Sequence, residues 1–198
     1  MICEWDDFGC NHVISDQCQS HDCRDKLLEL KKLNPKFKTT LFAIPGEMTA
    51  DLTGWCQLNK DWVEVAVHGF FHQSNYECAE MIYEDIVYFM QEFNDILKTC
   101  FVNGFRAPGW QISDDWYKWL KENEWWVADQ GYNDSRRPKE LKAYVNYENQ
   151  FRVNGKDIEA YHGHTWDVGW NGIYEDWEKV VELVKSAKDF KFISELFK

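Results

Sequence analysis

The sequence has no apolar run near the roughly 20 residues that cross a bilayer, so a membrane-spanning helix is not expected. Strand-like residues begin at Ile2, which leaves no room for a signal peptide, and a soluble cytoplasmic chain is the expectation. There is no block of Lys and Arg either. With 34 acidic residues against 22 basic ones and a net charge of -12, nothing is available to neutralise a row of phosphates, and nucleic acid is not an expected partner. Repeats, linkers and low-complexity segments are absent, and 198 residues suit one domain, 1–198, with a core of its own. CxxC pairs are missing too. Seven cysteines are an odd count, which argues against both a disulfide framework and a zinc ribbon and leaves reduced thiols as the simplest state. The nearest thing to an exception is "CQSHDC", where Cys18, His21 and Cys23 could hold a metal, although a polar loop leading into a helix accounts for it more simply.

What is present in quantity is aromatic: 11 Trp, 9 Tyr and 13 Phe, enough to fill a core and to leave some rings for stacking on flat ligands or sugar faces. Strand-like and helix-like runs alternate from end to end, the pattern of a barrel or layered α/β domain with a mainly parallel sheet. "MICEW" is a first strand. Cys23, Leu27 and Leu30 share one face of a helix that Asn34-Pro35 stops. "TTLFAIP" and "DWVEVAVHG" follow as strands, then Ile82, Ile86, Phe89, Phe93 and Ile96 trace one long amphipathic helix. "CFVNGFRAP" is a fourth strand, Ser113 caps a helix carrying Trp116, Trp119 and Leu120, and "EWWVAD" is a fifth strand. Asn154-Gly155 is a hairpin signal joining "NQFRV" to "KDIEAYHGH"; Trp177, Val180, Val181 and Val184 mark a last helix and "KFIS" a last strand.

In the third strand Val63, Val65 and Val67 share one face, so Glu64, Ala66 and His68 share the other, which would look into a barrel with a polar upper layer. Sites in such folds lie at the carboxyl ends of the strands. There the chain places Asp6 and Asp7, then "HGFFH", then "RAP", then Asp129, then "HGH". Two adjacent carboxylates at a strand end need a cation, a proton or water to be tolerable. Four of the six histidines (His68, His72, His162, His164) collect at the same end. Histidines four apart are a familiar metal spacing, one helical turn bringing both rings to one side, and a carboxylate from a distant strand can complete a set of three. "HGFFH" alone is equally compatible with an aromatic turn flanked by two histidines, but with the aspartates added ligation is favoured. Three protein ligands leave room for water, and a second carboxylate beside that water, held ionised by Arg106, is what a general base requires.

Asp6-Asp7 with Gly9, His68-x-x-x-His72, Arg106-x-Pro108 and His162-Gly163-His164, in this order on successive strands, resemble the polysaccharide deacetylase family, the NodB-homology domain or carbohydrate esterase family four. The resemblance covers nearly the whole chain. It implies an α/β fold, a distorted (β/α)7 barrel forming a single catalytic domain, and removal of N-acetyl or O-acetyl groups from sugars with a divalent metal, commonly zinc. By the same resemblance Asp6 is the base, Asp7, His68 and His72 bind the metal, Arg106 belongs to the R-x-P motif, and the acid histidine of the L-x-H motif falls in "AYHGH". That acid is His162 or His164, and His164, beyond Gly163, is the expected one because the chain can lean there over the open side of the metal. The fourth motif survives as Asp129 alone. Phe8 between Asp7 and Gly9, Gly69 in place of Ser or Thr, and "RAPGW" are departures from the family pattern.

The implied substrate is an acetylated amino sugar or glycan, met by Pro108, a main-chain N–H near Gly109 for the oxyanion, and Trp110, Trp166 and Trp170 as stacking surfaces. An allantoinase-like hydrolase of a small cyclic amide uses the same barrel and is the first alternative. A catalytically dead carbohydrate-binding barrel is the second; loss of the base would mark it, and Asp6 is present.

Overall fold

The computed structural model describes residues 1–9, 13–15, 18–19, 22–166 and 171–198, with the backbone alone at 13–15 and 18–19. His21, the side chain of Cys18, and Trp170 lie outside the described residues, and so does the Cys18-His21-Cys23 reading.

Chain order is β1 (Ile2–Phe8), a small hairpin of β2 (Val13–Ser15) and β3 (Cys18–Gln19), α1 (Arg24–Leu33), β4 (Thr39–Ala43), α2 (Ala50–Leu58), β5 (Val63–His68), α3 (Glu77–Glu80), α4 (Tyr83–Glu92) and α5 (Asn94–Cys100). Then come β6 (Phe101–Arg106), α6 (Asp114–Glu122), β7 (Trp126–Gln130), β8 (Ala143–Tyr147), β9 (Gln150–Val153), β10 (Lys156–Ile158), β11 (Ala160–His164) and α7 (Trp177–Ser186). The main sheet runs β10-β9-β8-β7-β6-β5-β4-β1-β11. From β11 to β8 its seven strands are parallel, and β9 and β10 are antiparallel additions. Only Glu159 separates β10 from β11, yet these two strands form opposite edges of the sheet. The sheet must therefore curl until its edges nearly meet: this is the distorted (β/α)7 barrel.

Alternation along the strands divides the side chains as expected for β5. Val63 and Val65 pack outward with Leu41, Trp5 and Leu27, and Val67 packs with Phe105, Trp116 and Leu120 under the helices. Ala66 joins Phe42, Trp126, Tyr144 and Phe151 inside the barrel. Gly104 matters here: a Cβ on it would lie 2.0 Å from the Trp126 ring, so a side chain at this position would expel the indole that fills the interior. The helix over Cys23, Leu27 and Leu30 forms with all three buried, and Ser113 Oγ accepts the Trp116 N–H at 3.2 Å, capping α6.

Some local expectations are corrected. The long helix from Ile82 is two, α4 and α5, broken at Phe93, whose ring stacks on Phe70 at 5.7 Å. "KDIEAYHGH" is split between β10 and β11, and "AYVNY", unassigned from the sequence, is β8, which pairs with β9 in a hairpin. "KFIS" is not a strand. Lys191 makes one bridge to Ile2, after which Ile193–Phe197 turn as a 3-10 helix because Ile193 N–H goes to Thr40 Oγ1 and Glu195 caps Phe192 N–H.

Candidate active site

A cleft of about 460 Å³ opens at the carboxyl ends of the parallel strands, and Asp6, Asp7, His68, His72, His162 and His164 all line it. Alternation explains most of this set. Asp6 shares the inward face of β1 with Glu4, and the parallel register of β1 with β11 sets Glu4 beside His162 and Asp6 beside His164. Asp7 should by parity point outward like Trp5. It does not, because its φ is 65° and the β1–β4 register slips between Trp5 and Phe8, so both carboxylates enter one cleft. His72 also has positive φ, 50°, and sits in a loop after β5, so the pair His68 and His72 is brought together by a loop, and the helical turn expected from the spacing is not formed.

That loop is held by a residue no motif pointed to. Glu77 Oε1 accepts Phe70 N–H at 2.6 Å and Phe71 N–H at 3.3 Å, and its Oε2 accepts Gln73 N–H at 3.2 Å. Gly69, φ 63°, lets the loop pass: a Cβ there would stand 2.8 Å from Pro108 and 2.9 Å from Glu77. Ser or Thr at this position would clash with both.

Asp7 Oδ1 lies 3.3 Å from His68 Nε2 and 3.2 Å from His72 Nε2. These separations are close to the ~3.4 Å edge of a tetrahedron with ~2.1 Å metal–ligand bonds. Asp7 Oδ1 is also a buried oxygen that receives no hydrogen bond, the mark of a ligand atom pointing at a cation site. His68 Nδ1 lies 3.1 Å from the Arg106 carbonyl; a carbonyl only accepts, so Nδ1 carries the proton and Nε2 turns its lone pair toward Asp7. The donor set thus fits a divalent metal. Burial drives Asp7 toward its neutral form, but positive charge beside it, carried by His68, His72 and His164 when these rings are protonated, outweighs burial and holds the carboxyl below its usual range; a metal cation would take the place of that charge.

Asp6, His162 and His164 form a second set of potential donors. Here a cation is already built in: Arg106 Nη1 donates to Asp6 Oδ1 at 2.5 Å, and Nη2 donates to both oxygens of Glu4 at 2.8 Å. Arg106 is fully buried, its guanidinium 3.8 Å from the Phe42 ring centroid and 4.3 Å from that of Trp110. Burial opposes the Asp6 charge, but Arg106 first and the histidines next overcome it and hold the carboxyl well below the usual carboxylate range. Asp6 Oδ2 stands 4.0 Å from His68 Nε2 and 4.0 Å from His162 Nε2. A carboxylate with one oxygen fixed and the other turned to the cleft is arranged to take a proton.

The remaining expected residues divide. Gly109, Trp110 and Trp166 line the cleft, Trp166 stacking on His164 at 4.1 Å. Pro108 is buried beneath Gly69. Asp129 does not join the site: it faces outward with Val127, by strand parity, and accepts hydrogen bonds from Tyr117 Oη, Asn133 Nδ2, Arg137 Nη1 and the Gln130 N–H at 2.7–2.8 Å. That is the bonding of a structural anchor.

No family model and no curated protein matches the sequence. Solved structures do match. A family 4 acetyl xylan esterase from Clostridium thermocellum, in complex with a cobalt ion, superposes with TM-score 0.61 at 15% identity, covering 99% of this chain and 89% of that one. The fold is that of the carbohydrate esterase family 4 deacetylases. A peptidoglycan N-acetylglucosamine deacetylase (TM-score 0.60, 15% identity, 98% and 86% covered) and a family 4 pseudoenzyme from Bacillus anthracis (TM-score 0.60, 14% identity, 100% and 64% covered) share it. The family 4 fold therefore hosts both active and inactive proteins, and activity has to be argued from the site. Among the described residues no helix is long and apolar enough to cross a membrane.

Proposed function

We propose that the chain is a single-domain, metal-dependent deacetylase that hydrolyses the N-acetyl group of an amino sugar or glycan. The observation that carries this reading is the split pair Asp6 and Asp7: one carboxylate with two imidazoles and no cation of its own, the other locked to Arg106 with a free oxygen in the same cleft. Asp7, His68 and His72 would hold a divalent metal, for which zinc is our proposal, and it would supply Lewis acidity to water and the acetyl carbonyl. Asp6 Oδ2 takes the proton of the attacking water, and Arg106 keeps Asp6 ionised and oriented while it does so. Trp110 and Gln111 N–H close the turn onto the Ala107 and Pro108 carbonyls, so Gly109 N–H is the main-chain donor of this segment assigned to the developing oxyanion. A histidine of the pair His162 and His164 protonates the leaving amine.

A glycan is favoured over a small cyclic amide by the shape of the groove. Gln130 and Asn146 line both the cleft and a neighbouring hollow of about 360 Å³ walled by Tyr132 and Tyr147, so the site continues beyond one sugar ring. Planar amides, the exposed Tyr132 ring beside half-buried Tyr147, and a single Glu in the hollow suit a neutral polyhydroxy ligand. The acetylated xylan and peptidoglycan deacetylase neighbours act on substrates of that class by name. The decisive experiment is metal analysis of the purified protein together with acetate release from a panel of N-acetylated sugars and glycans. Metal with acetate release supports the proposal; metal and glycan binding without release would favour the carbohydrate-binding alternative.

A further inference from the structure

Glu4 is a fully buried carboxylate that none of the recognised motifs contains. It lies one strand repeat below Asp6 on the inward face of β1, and the β1–β11 register sets it opposite His162. Its Oε1 lies 3.1 Å from His162 Nδ1, and both its oxygens accept from Arg106 Nη2 at 2.8 Å. His162 Nδ1 is also 3.3 Å from Arg106 Nη1, which already donates to Asp6 at 2.5 Å. Nδ1 has two possible roles: it donates to Glu4, or it accepts from Arg106. The contact with Glu4 is the shorter, 3.1 Å against 3.3 Å, and joins a ring donor to an ionised, acceptor-only group, whereas Nη1 directs its short bond to Asp6 and reaches the ring only with its second N–H.

We propose that Glu4 is the positioning residue that keeps the proton on His162 Nδ1, and that His162, with Nε2 turned toward Asp6 Oδ2, is the proton donor of the reaction. The assignment of donor rests on the deacetylase reading above. In the step, water oxygen bonds to the acetyl carbon, the carbon–nitrogen bond breaks, Asp6 receives the water proton, and the Nε2 proton of His162 goes to the departing amine. The resting state returns when the proton on Asp6 Oδ2 passes through one water of the cleft to His162 Nε2, 4.0 Å away. Glu4 never touches the substrate in this scheme. It holds the ring so that the only exchangeable proton is on the cleft side, much as an outer carboxylate orients a metal-bound histidine, where its removal typically costs ~10–100-fold in metal affinity or activity. His164, stacked face to face on Trp166, then belongs to the wall of the substrate groove.

Two measurements test this. In the zinc-loaded wild-type protein without substrate, nitrogen-15 NMR of the His162 ring should show Nδ1 protonated and hydrogen-bonded; an unprotonated Nδ1 overturns the role of Glu4. This reading does not depend on any variant folding or on any activity. In Glu4→Gln, with metal content unchanged, turnover of an acetamido sugar should fall ~10–100-fold, while an activated aryl acetate, whose leaving group needs no proton, is hydrolysed at close to the wild-type rate. Equal losses on both substrates overturn the proposal, and so does a greater amide-selective loss in His164→Asn than in His162→Asn. If wild-type protein hydrolyses no amide at all, the deacetylase reading fails and the donor role with it, while the ring measurement still decides whether Glu4 holds His162.

Discussion

Two groups of one aspartate and two histidines stand side by side in the cleft, and they differ in what already neutralises them. Asp7 meets His68 and His72 and, among the described residues, no Arg or Lys, and its Oδ1 is a buried acceptor without a hydrogen bond. Asp6, its neighbour in sequence, is bound by Arg106, which also ties Glu4 and approaches His162. Identical residue types therefore stand in opposite electrostatic settings. A buried anion without a built-in cation suits a metal; one with a guanidinium 2.5 Å away is already neutralised, which disfavours a divalent ion and suits proton exchange. The electrostatic partner, more than the ligand list, separates a metal site from an acid–base site.

The sharpest way to break this division is to neutralise each aspartate in turn. Asp6→Asn should keep the metal and lose ~10²–10⁴ in turnover, the range of a general base. His72→Ala or Asp7→Asn should instead lose the metal. Elemental analysis beside steady-state rates checks both, and unchanged metal content in His72→Ala would refute the ligand assignment.

Arg106→Met removes the cation that distinguishes the two groups. Glu4 and Asp6 are left buried and uncompensated, and unfolding by denaturant should show a loss of about 3–5 kcal/mol, the usual consequence of breaking a buried ion pair from one side. A change below about 1 kcal/mol would mean that water reaches the pair and that its burial does not set its charge.

Glu77→Gln sharpens the metal side. The amide cannot accept from the three N–H groups of the 70–73 loop as a carboxylate does, and metal affinity should weaken ~10–100-fold with the fold intact, read by metal titration. The smallest effect concerns Glu64, an inward carboxylate of β5 whose polar partners among the described residues are Thr40 and Ser194, with no guanidinium. Burial raises its pKa in spite of those hydrogen bonds. The folded state thus favours the neutral form: this stability is complete below the unfolded value of about 4.3 and is lost as pH rises through the folded value. Glu64→Gln should accordingly raise Tm at pH 7 and make no difference near pH 4. A lower Tm at pH 7 would show that a buried carboxylate needs no cation in this barrel.

Much of the fold was legible because it depends on periodicity. The alternation of Val63, Val65 and Val67, the helical spacing of Cys23, Leu27 and Leu30, and Ser113 as a cap are local properties, and each is found as expected. Expectations failed where a tertiary contact decided the matter. Phe93 interrupts a periodic helix while stacking on Phe70, and beyond Lys191 the N–H groups of Phe192, Ile193 and Ser194 go to Glu195, Thr40 and Glu64 in place of a strand neighbour. Asp129 was expected at the site from its place at a strand end, but parity sends it outward to Tyr117 and Arg137. Asp7 is the converse, an outward position turned inward by a positive φ and a slipped register.

By itself the sequence determined that Asp6, Asp7, His68, His72, Arg106 and the two late histidines would gather at one end of a parallel barrel, because strand order and strand direction bring all carboxyl ends to the same side. Glu4 could also have been noticed, two residues before Asp6 and so on the same face. The tertiary structure alone decided which aspartate meets a guanidinium, that His162 meets Glu4, and that Glu77 braces the 70–73 loop. Those are matters of a few ångströms between residues 100 and 158 positions apart or in irregular turns, and no period or spacing in the chain encodes them.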